Sequence, residues 1–154
     1  MALVGQLATL GEPISFFDDS KATNAHAAGA ALESFDSSRV VWIVGGLTKG
    51  ADLSELVRTQ ADKLRAAVVI GVDQGPVLAA LVQHAPTITM SQIVPEPSET
   101  VMARAVAAAV AAAQPGDAVL LAPACASMDQ FASYGERGDQ FAAAVREVLE
   151  LPRD

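Results

Sequence analysis

Asp18, Asp19, Ser20, Lys21, Thr23 and Asn24 crowd into the stretch FFDDSKATN (16–24), directly before an alanine-rich helical pattern. A segment that only turns a corner would use Gly or Pro instead. Asp, Ser, Thr and Asn are all good helix N-caps, but a helix needs one such residue. Two readings therefore stand side by side: a helix start with solvated neighbours, or a ligand site. In the second, Asp19 accepts from a hydroxyl-bearing group such as a ribose. Lys21 and Thr23 then face an anion at the helix N-terminus, where free N–H groups favour negative charge.

Two further stretches carry comparable chemistry. VGGLTKGADLSEL (44–56) pairs glycines at a strand end with Lys49 ahead of the next helix. It is not a P-loop, because Lys49 does not follow the second glycine directly and Gly50 stands where a Mg²⁺-binding Ser or Thr belongs. It reads either as a flexible turn with Asp52 as N-cap, or as a site where Lys49 meets a carboxylate or phosphate. APACASMDQFASYGERGDQF (122–141) leaves a strand through Pro123 into small residues and Ser127. Cys125 invites a nucleophile reading, but neither His26 nor His84 is set as its base. A lone Cys among alanines is a small packed hydrophobe. Ser127 and the N–H groups around it are better placed to bind a carboxylate than to attack one, and no G-x-S-x-G elbow surrounds it. No metal-ligand spacing occurs.

The elements that must position these residues follow from the hydrophobic pattern. Strand-type runs are GQLATL, ISFFDD, VVWIVGG, AAVVIG, a weak TITMSQIV, and AVLLAP. Helical patterns cover about 24–34, 52–65, 75–84, 97–113 and 136–150. Only GEP separates the first two strands, which predicts an antiparallel hairpin. From residue 14 onward strands alternate with helices, as βαβ units of a parallel sheet do. The near-continuous Val/Ile/Leu runs are those of strands covered on both faces. The expectation is a single domain over 1–154, a doubly wound α/β fold with a mostly parallel, Rossmann-like sheet of about six strands. Ligands of such sheets sit outside the carboxyl ends of the strands, where all three motifs fall.

Composition narrows the partners. The chain has 154 residues, 51% hydrophobic and 18% charged, which is globular rather than disordered. A net charge of −8 argues against nucleic acid or an anionic membrane as a partner, while leaving room for a local basic pocket. The single cysteine excludes an internal disulfide and fits a reducing cytoplasm. The start MALVGQLATLGEP lacks the basic and apolar regions of a signal peptide. The longest apolar run, Ala105 to Ala113, is too short to span a bilayer.

Taken together, DDSKATNAHAA (18–28), VGGLTKGADLSEL (44–56) and GDAVLLAPACASMDQFASYGERGDQF (116–141) resemble the C-terminal domain of a Mur ligase of the D-glutamate-adding type. The resemblance runs over essentially the whole chain. It implies an enzyme of three domains: one for the substrate UDP-N-acetylmuramoyl-L-alanine, a central P-loop ATPase using ATP and Mg²⁺, and this one for the incoming D-glutamate. The reaction it implies phosphorylates a carboxylate and forms an amide through an acyl phosphate, in cytoplasmic peptidoglycan synthesis. Carried over by motif, Thr23, Lys49 and Ser127 meet the carboxylates of D-glutamate. Tyr134 contributes through its backbone, Asp19 meets the ATP ribose, and Lys21 lies near the transferring phosphate as the catalytic residue. The family often has an Arg on the first strand, aligned near Val4, that this sequence lacks. With no P-loop in the sequence, the chain alone is expected to be inactive. A folylpolyglutamate synthetase-like domain and a non-catalytic small-anion-binding module are the alternatives.

Overall fold

A computed structural model describes residues 1–151; the last three residues of the expected 1–154 domain lie outside the described residues. Six strands form one sheet: β1 (Ala2–Leu7), β2 (Ile14–Asp18), β3 (Val40–Gly45), β4 (Leu64–Ile70), β5 (Thr89–Gln92) and β6 (Ala118–Leu121), in the order β1-β2-β6-β3-β4-β5. β1 pairs antiparallel with β2, and every other pairing is parallel. The helices are α1 (Ala25–Glu33), α2 (Ser54–Gln60), α3 (Gly75–His84), α4 (Val101–Ala112) and α5 (Tyr134–Glu150). The expected α/β sheet with its antiparallel hairpin is what the chain forms.

Alternation along β3 divides the core. Val40, Trp42 and Val44 point to one face, where they pack with Ala28 and Leu32 of α1, Leu56 and Val57 of α2, and Val77 and Leu81 of α3. Val41 and Ile43 point to the other, against Met102, Ala105 and Val106 of α4 and Phe141 and Val145 of α5. Because successive strand side chains face opposite ways, a continuous apolar run fills both layers at once. The Trp42 indole N–H donates to the Ala122 carbonyl at 2.7 Å, so the polar tip of this large core residue is satisfied.

Several boundaries differ from the pattern, each for a local reason. β1 occupies Ala2–Leu7 rather than 5–10, because Leu7 is the last core-facing residue and pairs with Ile14. Beyond it the Thr9 hydroxyl accepts from the Gly11 N–H and donates to the Glu12 carbonyl, which makes the turn. α2 stops at Gln60, passes through a 3₁₀ turn (Ala61–Lys63), and yields Leu64 to β4, where it pairs with Val40. α4 begins at Val101, after Pro97 and a 3₁₀ turn (Ser98–Thr100). α5 begins two residues earlier than the pattern suggests. The Ser133 side chain accepts from the Glu136 N–H at 3.0 Å, and Glu136 accepts from the Ala132 N–H at 3.0 Å, a cap closely related to the capping box.

Candidate functional site

β2, β6 and β3 are neighbours and parallel, so their carboxyl ends lie side by side. The three sequence motifs leave the sheet at those ends. In the β2–α1 loop Asp18 accepts from the Ser20 N–H at 2.9 Å, and the Ala22 and Thr23 N–H groups donate to the Asp19 and Lys21 carbonyls, both at 2.8 Å. Asn24 alone caps α1, accepting from the Ala27 N–H at 2.9 Å. The cap thus uses one polar residue of the cluster and does not involve the side chains of Asp19, Lys21 or Thr23. Lys21 is exposed, Asp19 and Thr23 half-buried.

The β3–α2 loop is tightly shaped. Gly45 and Gly46 have φ of +126° and +135°, and Lys49 itself adopts φ +54°, a left-handed conformation uncommon for a lysine. Lys49 is exposed. Asp52 is not the N-cap of α2 that the flexible-turn reading made it; that position is Leu53. Asp52 instead accepts from the Ser54 N–H at 2.9 Å, and this backbone donor holds its carboxyl below the ordinary range.

The β6–α5 loop is the hub. Leu47 and Ala126 exchange two backbone hydrogen bonds of 2.9 and 3.0 Å, which seats the Lys49 turn against the residue before Ser127. The Ala124 N–H donates to the Ala22 carbonyl at 2.9 Å, tying in the β2–α1 loop. Ser127 is only 4% exposed, and its carbonyl accepts from the Gln130 and Phe131 N–H groups. Cys125 is buried, and desolvation pushes its thiol up to about 11 against the opposing pull of Arg137. The thiol stays protonated at neutral pH, as the reading of Cys125 as a packed hydrophobe requires.

Sequence reasoning missed Arg137. It is fully buried, and its guanidinium donates to the Ser20 hydroxyl (2.9 Å), the Ser20 carbonyl (2.8 Å) and the Cys125 carbonyl (3.0 Å). The Ser20 hydroxyl in turn donates to the Tyr134 carbonyl at 2.6 Å. One side chain therefore fastens two motif loops to the first turn of α5. Desolvation lowers the guanidinium to about 10, which leaves it charged at neutral pH. A signal existed: Arg137, Phe141, Ala144, Val145 and Val148 share one helical stripe, and Arg137 opens it.

Asp19, Lys21 and Tyr134 line one cleft of about 280 Å³, together with Met1, Ala2 and Asp18. Thr23, Lys49 and Ser127 do not line it, although their loops are joined to its walls. Val4, where the family's Arg was aligned, packs partly against the core, so Met1 and Ala2 are the β1-side residues at the cleft. A second hollow of about 370 Å³ lies at the same edge between Gly46, Leu47, Thr48, Val72, Asp73 and Asp129. A larger groove of about 410 Å³ runs between α1 and α2, and of the residues singled out from the sequence only His26 and Asp52 border it. Among the described residues no group of three His, Cys, Asp or Glu side chains could hold a metal, and no helix is long and apolar enough to cross a membrane.

Residues 3–125 match the family model described as "Mur ligase, glutamate ligase domain". The chain belongs to the Mur ligase family. It is 59% identical over 132 residues to a UDP-N-acetylmuramoylalanine–D-glutamate ligase of Bifidobacterium adolescentis, covering 86% of this chain and 28% of that protein. It is 52% identical over 148 residues to the ligase of the same name from Bifidobacterium longum, covering 96% and 31%. A Streptomyces coelicolor ligase of that name is 50% identical over 136 residues, covering 88% and 28%. The chain thus spans less than a third of the length of these Mur ligases.

Proposed function

We propose that this Mur ligase domain presents D-glutamate to the carboxylate it will join, within a longer cytoplasmic ligase acting on UDP-N-acetylmuramoyl-L-alanine in peptidoglycan synthesis. The observation that carries the reading is the convergence of three loops at one sheet edge. Asp19 and Lys21 lie there in a shared cleft, and the Lys49 turn is bridged to the Ser127 loop. D-Glutamate carries a carboxylate at each of its two ends, and such a ligand needs separated anchors, each a cation or an N–H-rich turn. Lys49 supplies one as a compact ammonium. Ser127 and the N–H groups beside it supply the other, with Thr23 adding a hydroxyl from the neighbouring loop. Tyr134 contributes the backbone of the first turn of α5.

The cleft fits the outer part of a nucleotide. The Asp19 carboxylate is a hydrogen-bond acceptor for ribose hydroxyls, and Lys21 beside it is a cation for a terminal phosphate. ATP, when bound, supplies the phosphoryl group that activates the acceptor carboxylate. Lys21 holds negative charge in place during that transfer, and the loops around it keep the amino acid close. Ligands for Mg²⁺ and a phosphate cradle belong mainly to the central domain of the longer protein. Phosphoryl transfer depends on both, because catalysis there is positioning plus charge neutralisation.

The test compares the isolated chain with the full-length ligase that carries it. The full-length protein should release phosphate only when UDP-N-acetylmuramoyl-L-alanine and D-glutamate are both present, and the isolated chain should turn over neither ATP nor substrate. Turnover by the purified chain that survives Lys21→Ala would overturn the reading.

A further inference from the structure

Two glycines at the carboxyl edge hold the backbones of three loops in direct contact. A Cβ on Gly71 would lie 2.8 Å from the Gly46 nitrogen, and one on Gly46 would lie 2.5 Å from the Ala126 carbonyl oxygen. The end of β4 therefore rests on the end of β3, and that rests on the residue before Ser127. Such stacking resists compression but does little against separation, because a gap of about an ångström already forfeits up to about half of a dispersion contact that is weak to begin with.

Polar side chains from the Ser127 loop hold the stack closed. Gln130 Oε1 accepts from the Gly71 N–H at 3.0 Å, while its Nε2 donates to the Pro95 carbonyl at 3.1 Å. Asp129 beside it accepts from the Val72 N–H at 3.0 Å. The Gln130 N–H itself donates to the Ser127 carbonyl at 3.1 Å. A closed ring results, running from Ser127 through Gln130 to Gly71, across to Gly46, and back through Ala126. The Lys49 turn hangs from this ring through Leu47, whose two hydrogen bonds to Ala126 are part of it.

We propose that Gln130 is a positioning residue that fixes the distance between the Lys49 turn and Ser127, and so sets the length of the dicarboxylate the site accepts. The inference rests on the reading of Lys49 and Ser127 as carboxylate anchors. Glutamate and aspartate carry the same charges and differ by one methylene between them. Two anchors discriminate that difference only if their spacing is rigid. A glutamine suits the task because one planar group satisfies an N–H of one loop and a carbonyl of another. Glutamate at this position would keep the acceptor toward Gly71 but face the Pro95 carbonyl with a second acceptor.

The experiment is steady-state kinetics of the full-length ligase with D-glutamate, D-aspartate and ATP varied separately, for wild type, Gln130→Ala, Gln130→Glu and Lys49→Ala. Gln130→Ala should raise the D-glutamate KM about tenfold and leave the ATP KM within about twofold. It should also reduce the D-glutamate over D-aspartate preference in kcat/KM by roughly tenfold, the lower end of what one methylene contributes to discrimination. Gln130→Glu should fall between, and it decides the matter alone if Gln130→Ala does not fold. A role in stability only would lower the melting temperature and leave the preference unchanged. That result, with Lys49→Ala still raising the D-glutamate KM, overturns the inference and spares the site. If Lys49→Ala also leaves the D-glutamate KM unchanged, the anchor reading itself fails and the inference falls with it.

Discussion

The guanidinium of Arg137 donates to both the hydroxyl and the carbonyl of Ser20, at 2.9 and 2.8 Å, with no water-exposed surface on either partner beyond 5%. A charged group so buried is tolerated because its donors meet fixed acceptors. Removing it strands the Ser20 and Cys125 carbonyls in the interior.

Arg137→Lys should therefore be costly despite keeping the charge. A lysine cannot span the fork between Ser20 and Cys125, and the loss of one or two hydrogen bonds to a charged group comes to roughly 3 kcal/mol. Urea unfolding of the isolated chain measures it as a lower midpoint at unchanged slope. A loss below about 1 kcal/mol, the size of an ordinary surface substitution effect, would show that Arg137 is not the fastener of these loops.

Asp19 tests the nucleotide side of the cleft. In the full-length ligase Asp19→Ala should raise the ATP KM by about tenfold, the loss of one hydrogen bond to a charged acceptor. The D-glutamate KM should stay within about twofold, since Asp19 and the Lys49 turn are on different loops. Equal effects on both substrates would mean that Asp19 only shapes its own loop.

How legible the protein was in its sequence depends on the scale asked about. β3 was plain because VVWIVG is short, rich in β-branched residues and apolar on both faces, as a strand covered on two sides is. β1 was misplaced by three residues because alternation in GQLATL matches the pattern equally well. Pairing with Ile14 settles the register, and pairing is a long-range fact. The placement of the motif loops was legible, since each follows a strand of a parallel sheet and so leaves at the same carboxyl edge. Their fastenings were not. Arg137 opens the apolar stripe of α5, but that signal is masked by Glu136 and Asp139, since charged neighbours in a first helical turn read as solvent-facing. Gln130 is equally silent, because an amide that bridges two loops looks in sequence like any polar loop residue.

Cys125 gives the chain a measurable alkaline response. Its folded pKa is raised to about 11, so the folded state holds the thiol proton more tightly than the unfolded chain does. Stability from this group is fully present below the unfolded value, near 8.5–9, and falls as pH rises toward 11. The slope should reach about 1.4 kcal/mol per pH unit at most. Arg137 acts in the opposite sense only above about 10, where the folded guanidinium begins to release its proton before the unfolded one. Urea midpoints between pH 8 and 10 should thus decline for wild type and flatten for Cys125→Ala; a decline of equal slope in both would assign it to other groups.

Lys49 decides the amino-acid site. Its left-handed φ of +54° holds an exposed ammonium on a turn bonded to the Ser127 loop, a strained placement that a solvated lysine would not need. In the full-length ligase Lys49→Ala should raise the D-glutamate KM far more than the ATP KM. A charge-assisted contact of about 1.5–3 kcal/mol corresponds to roughly tenfold to a hundredfold. Ser127→Ala should act in the same direction but less, because it removes a neutral donor and leaves the backbone N–H groups. Lys49→Arg should rescue only in part, since a planar fork does not replace a compact ammonium. Lys49→Gly separates charge from strain: glycine adopts this φ at no cost, so the domain should be slightly more stable while the D-glutamate KM rises as far as in Lys49→Ala. A D-glutamate KM within about twofold of wild type in both variants, a difference of only ~0.4 kcal/mol, would make Lys49 a solvated turn residue and move the site elsewhere.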